Sequence, residues 1–139
     1  MRDDLIYYVD EAKRTIACVA TECEYDLITE LIKEFNDSKK EDKFLLANLL
    51  SMYEEELMLD YKYIGKAYCD INDEFDVEIG RTIARQKMRE KYNKAKANRM
   101  ERFCETIQKI LSGSINKMNF YRNNENKYNN LVNEYREEN

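Results

Sequence analysis

The chain has 139 residues, of which 43% are hydrophobic, 37% charged and 12% aromatic, so it is sized for one folded domain, too apolar for disorder and too charged for a bilayer. It contains no His, no Trp, no Pro and three Gly, which excludes histidine-based triads, histidine metal sites and glycine-rich phosphate cradles. A net charge of −5 conceals a sharp asymmetry: residues 1–80 carry 9 Lys+Arg against 21 Asp+Glu, and residues 81–139 carry 14 against 7.

Taken in chain order, the first residues, Met1-Arg2-Asp3-Asp4-Leu5, lack the apolar run and cleavage site of a signal peptide, and no stretch is apolar for about 18 residues; a cytoplasmic location is expected. Leu5–Val9 and Thr15–Ala20 are β-branched and aromatic around a polar break at Asp10–Arg14, which predicts a β-hairpin, with one amphipathic helix as the competing reading. Tyr25, Leu27, Ile28, Leu31, Ile32 and Phe35 recur at threes and fours and predict a helix from Glu24 to about Ser38. A second apolar run from Phe44 to about Leu59 predicts a core helix. Tyr61, Tyr63, Gly65, Ala67 and Cys69 alternate with Lys62, Ile64, Lys66 and Tyr68, the period of a strand.

An acidic stretch, Asp70–Glu78, precedes a helix whose seam is Ala84, Met88, Tyr92, Ala95, Phe103, Ile107 and Ile110. Ser112-Gly113-Ser114 predicts a break, and Ile115, Met118, Tyr121, Tyr128, Val132 and Tyr135 a last helix, so the two form an antiparallel hairpin. A helix over residues 76–111 is about 54 Å long, against about 37 Å for a compact globule of this chain length. A protruding arm or a homodimer is therefore expected. The fold class that results is α+β: a small antiparallel sheet made from the N-terminal hairpin and one strand, core helices, and a long C-terminal helical hairpin. Residues 1–75 make an acidic head and 76–139 a basic hairpin continuous with it.

Four cysteines, Cys18, Cys23, Cys69 and Cys104, contain no C-x-x-C pair, so reduced, buried thiols are expected rather than zinc ligands. In the acidic stretch, Asp73 or Asp76 is placed to cap the following helix, Phe75 and Ile79 to staple its entry, and Gly80 to admit the Gly65 strand closely. A calcium loop counted from Asp70 fails, because its sixth and twelfth positions are Phe75 and Arg81. A magnesium site on Asp70, Asp73 and Asp76 is the weaker rival of capping, and no cofactor is expected.

Nine basic residues between Arg81 and Arg102 meet only Glu90 and Glu101. Arg85, Arg89 and Lys96 fall on one flank of the seam, Lys87, Lys91 and Lys94 on the other, and Arg99 interrupts it. Three readings stay open: pairing with the acidic half or a second protomer, binding of phosphate in a nucleotide or nucleic acid with tyrosines for stacking, and a protein interface. The reverse surface, Glu54, Glu55 and Glu56 with Glu22, Glu24 and Asp26, has the character of a phosphate mimic that fills a nuclease groove, or of a solvated helix face.

Residues 63–91 carry a Gly65-x-Ala67-x-Cys69 strand, Asp73-x-Phe75-Asp76, Gly80, Ile83-Ala84 and Arg85. Together with Glu11-Ala12-Lys13-Arg14-Thr15 this resembles small proteins of bacteriophages and prophages over roughly residues 5–95. The resemblance implies an inhibitor of a bacterial defence system that binds and occludes a host protein effector, a CRISPR effector among the candidates, or sequesters a nucleotide signal. The partner-binding residues expected are Arg85, Arg89, Lys96 and Arg99 on the basic side and Glu54, Glu55 and Glu56 on the acidic side. An enzyme ranks third, because no nucleophile and base are positioned by any motif.

Overall fold

The computed structural model describes residues 4–37 and 40–138. Its class is α+β: a three-stranded antiparallel sheet with helices and a long C-terminal helix. The strands are β1 (Ile6–Asp10), β2 (Thr15–Ala20) and β3 (Tyr63–Tyr68), in spatial order β1-β2-β3. Between β2 and β3 lie α1 (Asp26–Glu34), a 3-10 turn (Phe35–Asp37), α2 (Lys40–Met52) and the short α3 (Glu54–Leu57); α4 runs from Val77 to Glu138. By its contacts the chain divides into two units, Met1–Phe103 and Cys104–Asn139. Ser38 and Asn139, where the first expected helix and the chain end, lie outside the described residues.

Register fixes which side chains share a face. Cys18 stands opposite both Tyr7 and Gly65, Ile16 opposite Val9 and Ala67, and Ala20 opposite Tyr63. Directly opposed residues point the same way, so this set forms one face, and Ile16, Cys18, Ala20, Tyr63 and Ala67 on it are buried. The seam Ala84, Met88 and Tyr92 of α4 is buried against them, at intervals of four that keep one stripe of the helix turned to the sheet. Gly65 makes that approach possible: a Cβ there would stand 2.9 Å from Met88 Cα and closer still to the Ala84 carbonyl oxygen and the Met88 nitrogen. Gly80 serves a different neighbour from the one its spacing suggests, since a Cβ on it would overlap Ile16 Cδ1 of β2 and not the Gly65 strand.

Leu27 and Leu31 of α1, Leu50 at the end of α2, and Leu57 and Leu59 complete the core. Tyr63 and Tyr92 meet edge to face with centroids 5.6 Å apart, and Tyr53 meets Phe103 in the same way at 5.5 Å. α2 departs from the expected core helix. Phe44 and Leu45 are 70% and 65% exposed, because the run Phe44-Leu45-Leu46 places apolar groups all around the helix and only its Leu50 side is covered.

The expected break at Ser112-Gly113-Ser114 is helical, so the last 62-residue element is one helix and not a hairpin. Ser114 Oγ donates to the Ile110 carbonyl oxygen at 2.8 Å instead of capping a new helix. One interior glycine costs about 1 kcal/mol relative to alanine, too little to end a helix without a proline beside it.

Candidate anion-binding flank

The start of α4 is built as the acidic stretch predicts, with one refinement. Asp76 is the cap: its Oδ1 accepts from the backbone N–H of Glu78 at 3.0 Å and of Ile79 at 3.2 Å. Asp73 has another task. Its carbonyl oxygen accepts from Arg14 Nη2, which also donates to the Asp70 carbonyl oxygen at 3.2 Å and to Cys69 Sγ at 3.3 Å. The Arg14 guanidinium lies 5.7 Å from the Phe75 ring centroid, and Arg14 itself adopts a left-handed backbone, φ 52°, in the hairpin turn. The guanidinium thus ties the β1–β2 turn to the 69–75 loop, a role the sequence reading missed. Beside this joint is a cleft of about 220 Å³ with an apolar floor that includes Ile16, Phe75 and Ile83 and with Asp70, Asp73, Glu74 and Asp76 on its rim.

From this cap α4 crosses the sheet with two cationic flanks. On the β1 side Arg81, Arg85 and Arg89 repeat at intervals of four. Arg85 Nη1 donates to the Tyr7 hydroxyl at 3.4 Å, and the Arg81 guanidinium sits 5.5 Å from the Tyr7 ring centroid. The Nε atoms of Arg85 and Arg89 are buried and without a hydrogen-bond partner. No carboxylate among the described residues pairs with these three arginines. The Cys18 thiol of the sheet is no counter-ion, because burial pushes it above its ordinary value, against the opposing pull of the Tyr7 hydroxyl and of Arg85 and Arg89. The thiol therefore stays neutral. A buried guanidinium N–H lacking an acceptor is costly, and Arg85 and Arg89, half-buried beside the exposed Arg81, make a cationic flank suited to an anion.

On the β3 side, Lys87 and Lys91 join Ile64, Lys66 and Tyr68 around an open groove of about 450 Å³. β3 is an edge strand, and Lys91 Nζ donates to the outward carbonyl oxygen of Ile64 at 3.0 Å.

The structure separates the other expected partner-binding residues from the arginine flank. Lys96 pairs with Glu30 and lies over the Tyr92 ring at 4.2 Å; Arg99 Nε donates to the Met58 carbonyl oxygen at 3.1 Å, and its Nη2 stands 3.5 Å from Asp60 Oδ1. These two cations are used within the first unit. Glu54, Glu55 and Glu56 fill a four-residue helix, with Glu55 and Glu56 exposed and Glu54 half-buried. Asp26, expected to continue that acidic track, instead accepts from the Tyr92 hydroxyl at 2.7 Å. Burial, and then the Asp26 carboxylate, push the Tyr92 phenol well above its ordinary value.

Tyr7, Arg81 and Arg14 are the members of these sites that sequence reasoning did not single out. The four-residue spacing from Arg81 to Arg89 carried the signal for one of them, and the alternation of β1 placed Tyr7 on a definite face. Among the described residues no group of three or more Cys, Asp or Glu side chains is arranged to hold a metal ion, and no helix is long and apolar enough to cross a membrane. Comparison with protein-family models, curated proteins and solved structures returned no match to this chain.

Proposed function

We propose that this protein works by binding, as an inhibitor of phage or mobile-element origin that occludes a host defence effector, with the Arg81–Arg85–Arg89 flank as its docking surface. The observation that carries this reading is the pair of buried, unpartnered Nε atoms on Arg85 and Arg89, beside a tyrosine that fixes Arg85 in place. With Nε buried, each of these half-buried side chains is held against the first unit, and an acidic patch on a protein supplies carboxylates at fixed spacing for their remaining N–H groups. The strand, acidic turn and basic helix over residues 63–91 support the phage-type assignment by resemblance. A nuclease or CRISPR effector is the class of target that this assignment suggests.

A second reading, a nucleotide or nucleic-acid binding module, is favoured by the other flank. Lys66, Lys87 and Lys91 converge beside Tyr68, which offers phosphate contacts with a ring for stacking.

The two readings separate in one experiment. Full-length protein is used as bait in lysate from phage-infected bacteria, next to Arg85→Gln/Arg89→Gln and Lys87→Gln/Lys91→Gln chains whose thermal unfolding is checked against the wild type. The occlusion reading expects one protein recovered at stoichiometric yield and an affinity weakened about 100-fold by the arginine pair, since each lost charged hydrogen bond costs about 1.5–3 kcal/mol. Recovery of a nucleotide or nucleic acid, lost through the lysine pair and released steeply by salt, overturns it.

A further inference from the structure

The second unit contains residues 104–138 of α4 and nothing else described, yet it is not a polar helix. Ile107, Leu111, Met118, Tyr121, Tyr128 and Val132 fall on positions that alternate by threes and fours, and all but the half-buried Ile107 are 44–63% exposed. The repeat is 3.5 residues, not the 3.6 of a straight helix, and it spans about four heptads. That is the spacing of a seam that closes against another helix with left-handed supercoiling. Two positions on the grid are polar, Ser114 and Glu125.

These two exceptions identify the occupant. We infer that the seam is covered by the same segment of a second copy of this chain, running antiparallel about a dyad between Asn119 and Phe120. In that register Ser114 of each copy faces Glu125 of the other, so both polar positions fall in shared layers. The remaining layers match large against smaller groups: Met118 against Tyr121, Leu111 against Tyr128, and Ile107 against Val132. Each layer occurs twice by symmetry, as an isologous interface requires. Outside the seam, Ile110 falls beside Leu131 of the second copy, both about half exposed in the single chain.

A parallel pair fails on charge. It stacks Glu125 on Glu125 in the seam and brings Lys117 beside Arg122 of the second copy, placing like charges together at both levels. In the antiparallel pair Glu125 instead has Lys117 of the second copy within one turn of the Ser114 it faces. The segment from 104 to 138 carries five basic and five acidic residues, so two copies meet without net repulsion. Gly113 agrees with this assignment: it falls on the outer side of the grid, with nothing within 4 Å of a Cβ. The inference uses the second unit alone and stands whether or not the arginine flank docks on an effector.

Sedimentation equilibrium of the full-length protein, with cysteine cross-linking, tests both the dimer and its direction. The wild type is expected to be a dimer whose dissociation constant rises about 100-fold in Met118→Glu, which places an unpaired carboxylate in two central layers. In a Cys104→Ser background, Ser114→Cys/Glu125→Cys is expected to form a disulfide-linked dimer under mild oxidation, and Glu125→Cys alone is not. A wild-type monomer at all concentrations overturns the inference, as does rapid cross-linking of the Glu125→Cys chain alone, which reports a parallel pair.

Discussion

Gly65 and Gly113 are the same residue in opposite surroundings. At Gly65 the backbone of α4 lies against the strand so closely that no side chain fits; at Gly113, within α4 but in the second unit, a Cβ would meet nothing within 4 Å. The first unit derives its stability from interlocking, with Ile16, Cys18, Leu57 and Met88 almost wholly shielded from water. The second is a helix whose apolar stripe is exposed within the single chain. One polypeptide therefore contains a region whose apolar groups are covered within the chain and a region whose apolar groups are not.

The largest effect expected from this contrast is at Gly65. Gly65→Ala forces β3 and α4 apart and should cost about 3 kcal/mol or more, since the atoms in the way are backbone and cannot rotate aside. Urea unfolding followed by tyrosine fluorescence reads this directly; a loss below about 1 kcal/mol would mean that strand and helix are not in contact. Gly80→Ala should be milder, because the obstacle there is the tip of the Ile16 side chain.

Next in size is the response to alkali of three buried groups in the first unit. Cys18, Tyr63 and Tyr92 all have their ionisation raised, burial being the largest cause in each. A folded state that holds its protons while the unfolded chain releases them loses stability as pH rises. The loss begins near the ordinary thiol and phenol values, about 9 and 10, and each group contributes up to about 1.4 kcal/mol per pH unit. Unfolding midpoints should thus be level up to about pH 8.5 and fall above it. Tyr92→Phe should make that fall shallower while lowering stability at neutral pH by about 1.5–3 kcal/mol through the lost bond to Asp26; an unchanged alkaline slope would remove Tyr92 from the account.

The smallest effect is at the other glycine. Gly113→Ala meets nothing and should stabilise the second unit by about 1 kcal/mol, seen as higher helicity at 222 nm on heating. A loss of helicity would show that Gly113 is packed against something.

These contrasts also explain what could be read from the residues alone. β2 was legible to its ends because Thr15–Ala20 is β-branched and bounded by polar residues, and the Ala84-Met88-Tyr92 seam because its spacing repeats. The Asp76 cap followed from local chemistry within three residues. Pairing of the basic run with the acidic half was one of the open readings, and Lys96 and Arg99 follow it, but which groups they meet was not legible because Glu30, Met58 and Asp60 are 39 or more residues away in sequence and brought near only by the fold. Arg14 was invisible for the same reason, its acceptors lying 55 to 59 residues downstream. Ser112-Gly113-Ser114 misled in the opposite way: residues that end helices when a loop is available remain helical when Ser114 satisfies its hydroxyl on Ile110. Of the candidate site, Arg85 and Arg89 were found from charge and spacing, whereas the tyrosine that holds Arg85 required the sheet register.

The four thiols, scattered without pattern along the sequence, give the molecule a graded set of reporters. Cys104 is open to solvent, Cys69 touches the Arg14 guanidinium, and Cys18 and Cys23 are fully enclosed. In the single chain a thiol-reactive dye is therefore expected to label Cys104 first, the half-buried Cys69 more slowly, and Cys18 and Cys23 only when the core opens. The labelling trace of the untouched protein ranks the lifetimes of these openings without a single substitution.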